Sequence, residues 1–225
     1  MDVCKDLDQY AQFMQKHRRI LQDAKKKQGQ RPHDRKDRDT LLFEFMMASM
    51  HTARRVNGQN ERHLHSSFVP LAYLPCATSL DDLKPVMIEE LRLETHHRGR
   101  YLLLRAITSP YRMTGILVLA EDGHGDATLL QLYQQEDEAI RPVTDIVEEG
   151  SILIIKEPFF KVAASGDYSV RVDHLSDIVH LTYENSRVPS MWRPRLLEIE
   201  RSAESLKLEG NTLLGQGKHW RAIEK

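Results

Sequence analysis

Cysteine is nearly missing from this sequence, with only Cys4 and Cys76 in 225 residues. That excludes a disulfide-stapled secreted scaffold, and neither thiol has neighbours at metal-ligand spacing. Tryptophan is equally scarce, and aromatic residues reach only 7%, so any core must rest on aliphatic side chains. No hydrophobic run approaches the ~20 residues a membrane-crossing helix needs, and the opening MDVCKDLDQY has no apolar signal segment. Neither a membrane partner nor secretion is expected, which leaves a nuclear or cytoplasmic protein.

Catalytic signatures are missing as well. There is no glycine-rich phosphate loop, no His-Glu-x-x-His and no Gly-x-Ser-x-Gly. His63 and His65 share one side of an extended segment, but no third ligand follows at a usable spacing. Cys76 has no base beside it, and the acidic clusters at 121–126, 136–138 and 145–149 read as turns and solvated faces. No catalytic residue, metal site or cofactor is expected in these 225 residues.

What the sequence does have is uneven charge. Its 32 basic and 33 acidic residues nearly cancel, yet residues 1–40 carry net +4, 41–100 are neutral, 101–185 carry −8 and 186–225 carry +3. Phosphate binding rests on Lys/Arg neutralisation, so the acidic middle is not expected to bind nucleic acid. Lys25, Lys26, Lys27, Arg31, Arg35, Lys36 and Arg38 form the densest basic stretch. It reads as a solvated linker, with a nuclear-import or phosphate-binding patch as the alternative.

Hydrophobic spacing divides the chain into four parts. Residues 1–39 are a basic arm: Leu7, Tyr10, Phe13, Met14, Ile20 and Leu21 predict a helix over 5–28, ended by Gly29 and Pro32. Residues 40–99 are helical and loop-rich, with Leu42, Phe45, Met46 and Met50 as the expected buried side of a second helix. A further helix start is expected at Ser79, with Pro85 as a restart or a kink. Residues 100–185 change to strands: RYLLLRAIT, TGILVLAED, ATLLQLYQQ, a short acidic helical turn, SILIIKEPFFKVA and YSVRVDH. Pro158 predicts a bulge or edge in the fourth of these. Three strands, a short helix and two strands is the order of an OB-like five-stranded barrel, with a generic small barrel or α+β sheet as the alternative. Leu102, Leu104, Ile116, Val118, Leu130, Leu132, Ile152, Ile154, Val170 and Val172 are its expected core.

Residues 186–225 are a linker and an incomplete repeat. AESLKLEGNTLLGQGKHWRAIEK places Ala203, Leu206, Gly210 and Leu213 on one helical face, followed by a glycine break and Trp220, Ala222 and Ile223. This resembles the opening of a tetratricopeptide repeat, departing from it at Glu209 and His219. A repeat of ~34 residues beginning at Ala203 would run past Lys225, so the chain reads as the front of a longer protein. The resemblance implies that Lys207 and Asn211 match residues that grip a partner's C-terminal carboxylate. The exposed tail is also expected to favour self-association.

Over residues 40–225, with EELRLETHHRGRYLLLRAIT, KEPFFKV and YSVRVDH included, the sequence resembles the N-terminal region of fungal proteins that carry tetratricopeptide repeats and a SET domain. That resemblance implies a parent protein-lysine methyltransferase using S-adenosylmethionine. The SET motifs, an Asn-His-x-Cys-type knot and a Gly-Glu-Glu turn, are absent from these residues. The expected class is therefore α+β: a helical N-terminal region, an OB-like five-stranded β-barrel and the start of a tetratricopeptide helical hairpin. Its expected role is accessory and non-catalytic, giving protein contacts through the repeat. The alternative is a nucleic-acid-binding OB-type module with a basic arm.

Overall fold

The structure is a computed structural model that describes residues 3–57, 71–163, 166–193, 203–216 and 222. Its described residues build one ten-stranded mixed sheet with few helices beside it. This corrects the expected fold class. The helical N-terminal region, five-stranded barrel and repeat hairpin give way to a larger sheet that dominates the molecule. Four of the additional strands are only two to four residues long: β1 (Lys84–Val86), β2 (Thr95–His96), β4 (Tyr111–Arg112) and β10 (Ile178–Leu181). Strands this short exist because a neighbour offers a paired edge, so no periodicity of their own announces them. The helix expected from Ser79 is likewise replaced by two short 3-10 turns around β1, where Pro85 lies opposite Tyr101.

The longer strands are β3 (Arg100–Ala106), β5 (Ile116–Glu121), β6 (Ala127–Leu132), β7 (Ile152–Lys156), β8 (Phe159–Val162) and β9 (Tyr168–Val172). Their order across the sheet is β10-β7-β3-β5-β6-β9-β8-β2. Most neighbours are antiparallel, while β6/β9 and β1/β3 run parallel. β7 and β8 lie towards opposite ends of that path, yet only Glu157 and Pro158 separate them in sequence. The sheet must curl until its two flanks meet. Glu157 makes the joint with φ +45, a left-handed conformation that is uncommon outside glycine.

Curling encloses a core of Leu102, Leu104, Ile116, Val118, Leu130, Leu132, Leu153, Ile155, Phe160, Val170 and Val172, all but sealed from solvent. Alternation sends every second residue inward. On β7 the inward pair is Leu153 and Ile155, not the expected Ile152 and Ile154. Ile152 instead packs with Val188 and Trp192 on the opposite face. An unbroken apolar strand buried on both faces gives the alternation nothing to read.

Three helices complete the described fold outside the sheet's joints. α1 (Val3–Lys26) packs towards β8, and α2 (Arg38–Asn57) lies over β5 and β6. A four-residue helix, α3 (Val143–Ile146), spans the gap between β6 and β7. Near the end of the chain, α4 covers Ala203–Gly215. Of the expected second helix of a repeat hairpin, Ala222 is described and helical, while Trp220 and Ile223 lie outside the described residues.

Gly115 immediately precedes β5, beside the end of β6. A Cβ there would come within 2.8 Å of the Leu132 carbonyl oxygen and 3.2 Å of the Tyr133 ring. The first of these is backbone held in the β5/β6 ladder and has little freedom to withdraw. Gly115→Ala is therefore expected to destabilise the fold by about 1–3 kcal/mol, read as a lower urea midpoint with an unchanged m-value.

Candidate interaction surfaces

The basic linker does not float free of the acidic sheet. Arg38 Nε donates to Glu121 Oε2 at 2.8 Å, and Arg105 reaches the other oxygen of the same carboxylate. Lys36 Nζ bridges Glu44 and Asp167, both at 2.6 Å, and Arg35 lies 3.6 Å from Asp126. The Tyr168 hydroxyl donates to Asp34, and burial, helped by this contact, pushes the phenol up to about 12. Acids of strands and turns thus meet cations of the arm across more than eighty residues of sequence.

Glu121 is the best-buried partner, with side-chain exposure of 6%. Burial alone would raise its pKa, but the Arg38 and Arg105 hydrogen bonds outweigh it and hold the carboxyl below its ordinary value. A depressed carboxyl contributes stability above the ordinary carboxylate range and loses it as pH falls through the folded pKa. Glu121→Gln is expected to cost about 2 kcal/mol at pH 7, discounted for half-exposed arginines. Urea titrations at pH 7 and pH 3 check this: the gap to wild type should shrink at pH 3, and an equal gap would refute the clasp.

Of the seven basic residues singled out in the arm, four are engaged. Lys26 pairs with Asp23 at 2.9 Å, and Arg35, Lys36 and Arg38 are held as above. Lys25, Lys27 and Arg31 are exposed and have no ion pair among the described residues. A cavity of about 170 Å³ opens between linker and sheet, lined by Arg35, Lys36, Leu41, Thr128, Phe160 and Tyr168. Its charged walls are already paired.

A second polar cluster lies under residues 71–78. Tyr73 stacks edge-on against His96 at 4.5 Å and His174 at 5.5 Å, while its hydroxyl accepts the Asp173 N–H at 3.1 Å. Arg171 Nε donates to Asp173 at 2.7 Å, both side chains being buried, and Cys76 N–H donates to Asp177 at 2.9 Å. Burial, helped by Arg98, lowers the His96 pKa, and burial raises that of Tyr73, so both stay neutral near pH 7. Cys76 is buried with its thiol towards the Thr78 carbonyl. These contacts fasten a loop and activate no nucleophile. Among the described residues no three His, Cys, Asp or Glu side chains gather to hold a metal. Tyr73, His174 and Asp177 escaped sequence reading because their partners are a hundred residues away.

α2 supplies a different kind of surface. Phe45 is buried against Tyr111, with ring centroids 5.1 Å apart, and Leu42 is half-buried beside the sheet. Met46 and Met50, expected on the buried side, point outward. With Phe43 and Met47 they form an i, i+3, i+4, i+7 stripe exposed by 67, 55, 43 and 56% in the order Phe43, Met46, Met47, Met50. The helix is held to the sheet from its other side by Arg38, Leu41, Leu42 and Phe45, with Glu44 paired to Lys36. On α4, Lys207 and Asn211 are exposed, Leu206 and Leu213 half-buried, and Leu208 and Leu214 exposed.

No family model matches the chain. It is 42% identical over 161 residues to a Gibberella zeae protein named methyltransferase, a match covering 72% of this chain and 22% of that protein. The chain therefore spans about a fifth of the relative's length and is related to a methyltransferase-named fungal protein. Among solved structures it is similar to Schizosaccharomyces pombe Pot1pC bound to single-stranded DNA, with TM-score 0.36 and 12% identity, covering 46% of this chain and 90% of that one. Fission yeast Pot1 with single-stranded DNA gives the same TM-score at 11% identity, over 46% and 41%. One expectation about partners is corrected accordingly. Both of those structures hold single-stranded DNA, against the expectation that nucleic acid is an unlikely partner. Most of the tail expected to give protein contact and self-association, 217–221 and 223–225, lies outside the described residues. Among the described residues no helix is long and apolar enough to cross a membrane.

Proposed function

We propose that this chain is a non-catalytic accessory region of a methyltransferase-related protein, and that it docks another part of that same, longer polypeptide through α2. The observation that carries this reading is the four-residue apolar stripe on a helix already anchored from its other side. A polypeptide several times longer, as the 22% coverage of the relative implies, supplies the occupant. Methionine-rich stripes suit such a contact, because unbranched thioether side chains repack against an incoming helix at little cost. The curled ten-stranded sheet, with α2 lying over β5 and β6, is the scaffold that holds this stripe in place. The resemblance in sequence supports tetratricopeptide and SET segments as the remainder of the parent.

The chemistry of the buried clusters supports a binding role. The 225-residue chain alone is expected to transfer no methyl groups and to show no saturable S-adenosylmethionine binding in calorimetry. Mixed with the remainder of the Gibberella zeae protein, it is expected to form a complex that Phe43→Ser with Met46→Ser and Met50→Ser weakens at least about tenfold. Each side chain removed from a fully buried contact costs about 1.5–3 kcal/mol. Cofactor binding by the chain alone, or a complex indifferent to these substitutions, would overturn the reading.

A further inference from the structure

The folded chain assembles a basic surface that no stretch of its sequence contains. Lys25 and Lys27 close α1, and Arg31 follows in the linker, all three exposed. The linker is pinned here to the residues before β2. Gly29 N–H donates to the Leu93 carbonyl at 2.8 Å, Leu93 N–H to the Gln30 carbonyl at 2.9 Å, and Arg92 Nη1 to the Gly29 carbonyl at 2.9 Å. Arg92 N–H also donates to His97 Nε2, so the ring's proton sits on Nδ1, facing the Pro158 carbonyl. Beyond His97 stand Arg100 and its register partner Lys84, both exposed.

Six cations thus follow one another around the joint of arm and sheet, and none has an ion pair among the described residues. Of the nearby acids, Asp34 faces Lys27 and accepts the Tyr168 hydroxyl, and Glu90 and Glu94 keep their charge while accepting the Met87 and Val162 N–H groups. Asp23 holds Lys26, Glu157 holds Arg98 and Glu89 faces His124. Asp82, two residues before Lys84, is exposed. His97 registers the field: burial lowers its pKa most, and Arg92 and Arg100 lower it further.

We propose that this arm–sheet surface binds a nucleic-acid strand through its phosphodiester backbone, with Lys25, Lys27, Arg31, Lys84, Arg92 and Arg100 as the contacting cations. A belt of charges lacks the desolvated aromatic or aliphatic anchors on which protein interfaces depend. It matches a ligand whose charges lie on its outside, and three arginine forks suit phosphate oxygens. The acidic excess elsewhere does not defeat it, because unpaired charges beyond ~8 Å are screened at physiological salt. The surface is separate from the α2 stripe, so the inference stands apart from the docking reading.

The test uses the full chain and a fluorescein-labelled 30-residue oligothymidylate, followed by anisotropy between 50 and 200 mM salt. Lys25→Gln with Lys27→Gln and Arg31→Gln is expected to weaken binding at least about tenfold at 50 mM salt. It should also reduce the salt slope by about 2, as loss of three single-strand phosphate contacts requires. All three side chains are exposed, so the variant should keep its melting temperature. Lys26→Gln is expected to leave affinity within about twofold, and the α2 stripe substitutions should leave it unchanged, which separates this outcome from the docking reading. No saturable binding at 50 mM salt, or equal binding by the triple variant, would overturn the proposal. So would polyglutamate of equal charge competing as well as the oligonucleotide, since the surface would then prefer no phosphodiester.

Discussion

The closure of the sheet depends on a two-residue joint. Glu157 and Pro158 connect strands that belong to opposite flanks, and the left-handed φ of Glu157 is the bend that lets β7 end and β8 begin. Strain at a non-glycine residue persists only when its surroundings overdetermine it. Here the Glu157 carboxylate accepts the Gly99 N–H at 2.9 Å and an ion pair from Arg98, while the Pro158 carbonyl accepts the His97 N–H. Burial works against the charged form, but those donors hold the Glu157 carboxyl below its ordinary pKa. The turn before β3 is therefore bolted to the joint between β7 and β8, and the core inside follows from that closure.

Once the sheet is closed, electrostatics places the arm. A segment with net −8 is costly to compact alone, and the arm offers the opposite sign. Arg35, Lys36 and Arg38 take up Asp126, Asp167 and Glu121, so linker and α2 lie where those acids are. Arg105, which shares Glu121, also sits 5.3 Å above the Trp192 ring, linking this clasp to the small cluster behind β7. The same division of charge leaves Lys25, Lys27 and Arg31 unspent. One basic stretch thereby has two uses, an intramolecular tether at one end and a free cationic surface at the other.

The two proposed surfaces have different chemistry and sit on different elements. α2 presents apolar side chains because Arg38, Leu41, Leu42 and Phe45 hold its other side to the sheet, leaving Phe43, Met46, Met47 and Met50 outward. The surface around Arg92 is polar and made of segments brought together by backbone bonds. Because they share no residue, the two surfaces can act at once, one on an apolar segment and the other on a polyanion.

By itself the sequence determined the main strands, because alternation at Tyr168–Val172 and the glycine turn at 123–125 report local geometry. It also located the break at Pro158, since proline cannot donate to a ladder, and placed Lys207 and Asn211 on one helix. It did not determine which face of β7 is inward, because Ile152 to Ile155 are apolar on both sides. Nor did it reveal β1, β2, β4 and β10, which owe their existence to a partner's edge. The fate of the seven arm cations was equally beyond reach. A lysine with a free solvated head and one clamped between Glu44 and Asp167 have the same local sequence signature. Only tertiary structure decided between them, since Coulomb attraction acts through space and the acids concerned arrive from strands far along the chain.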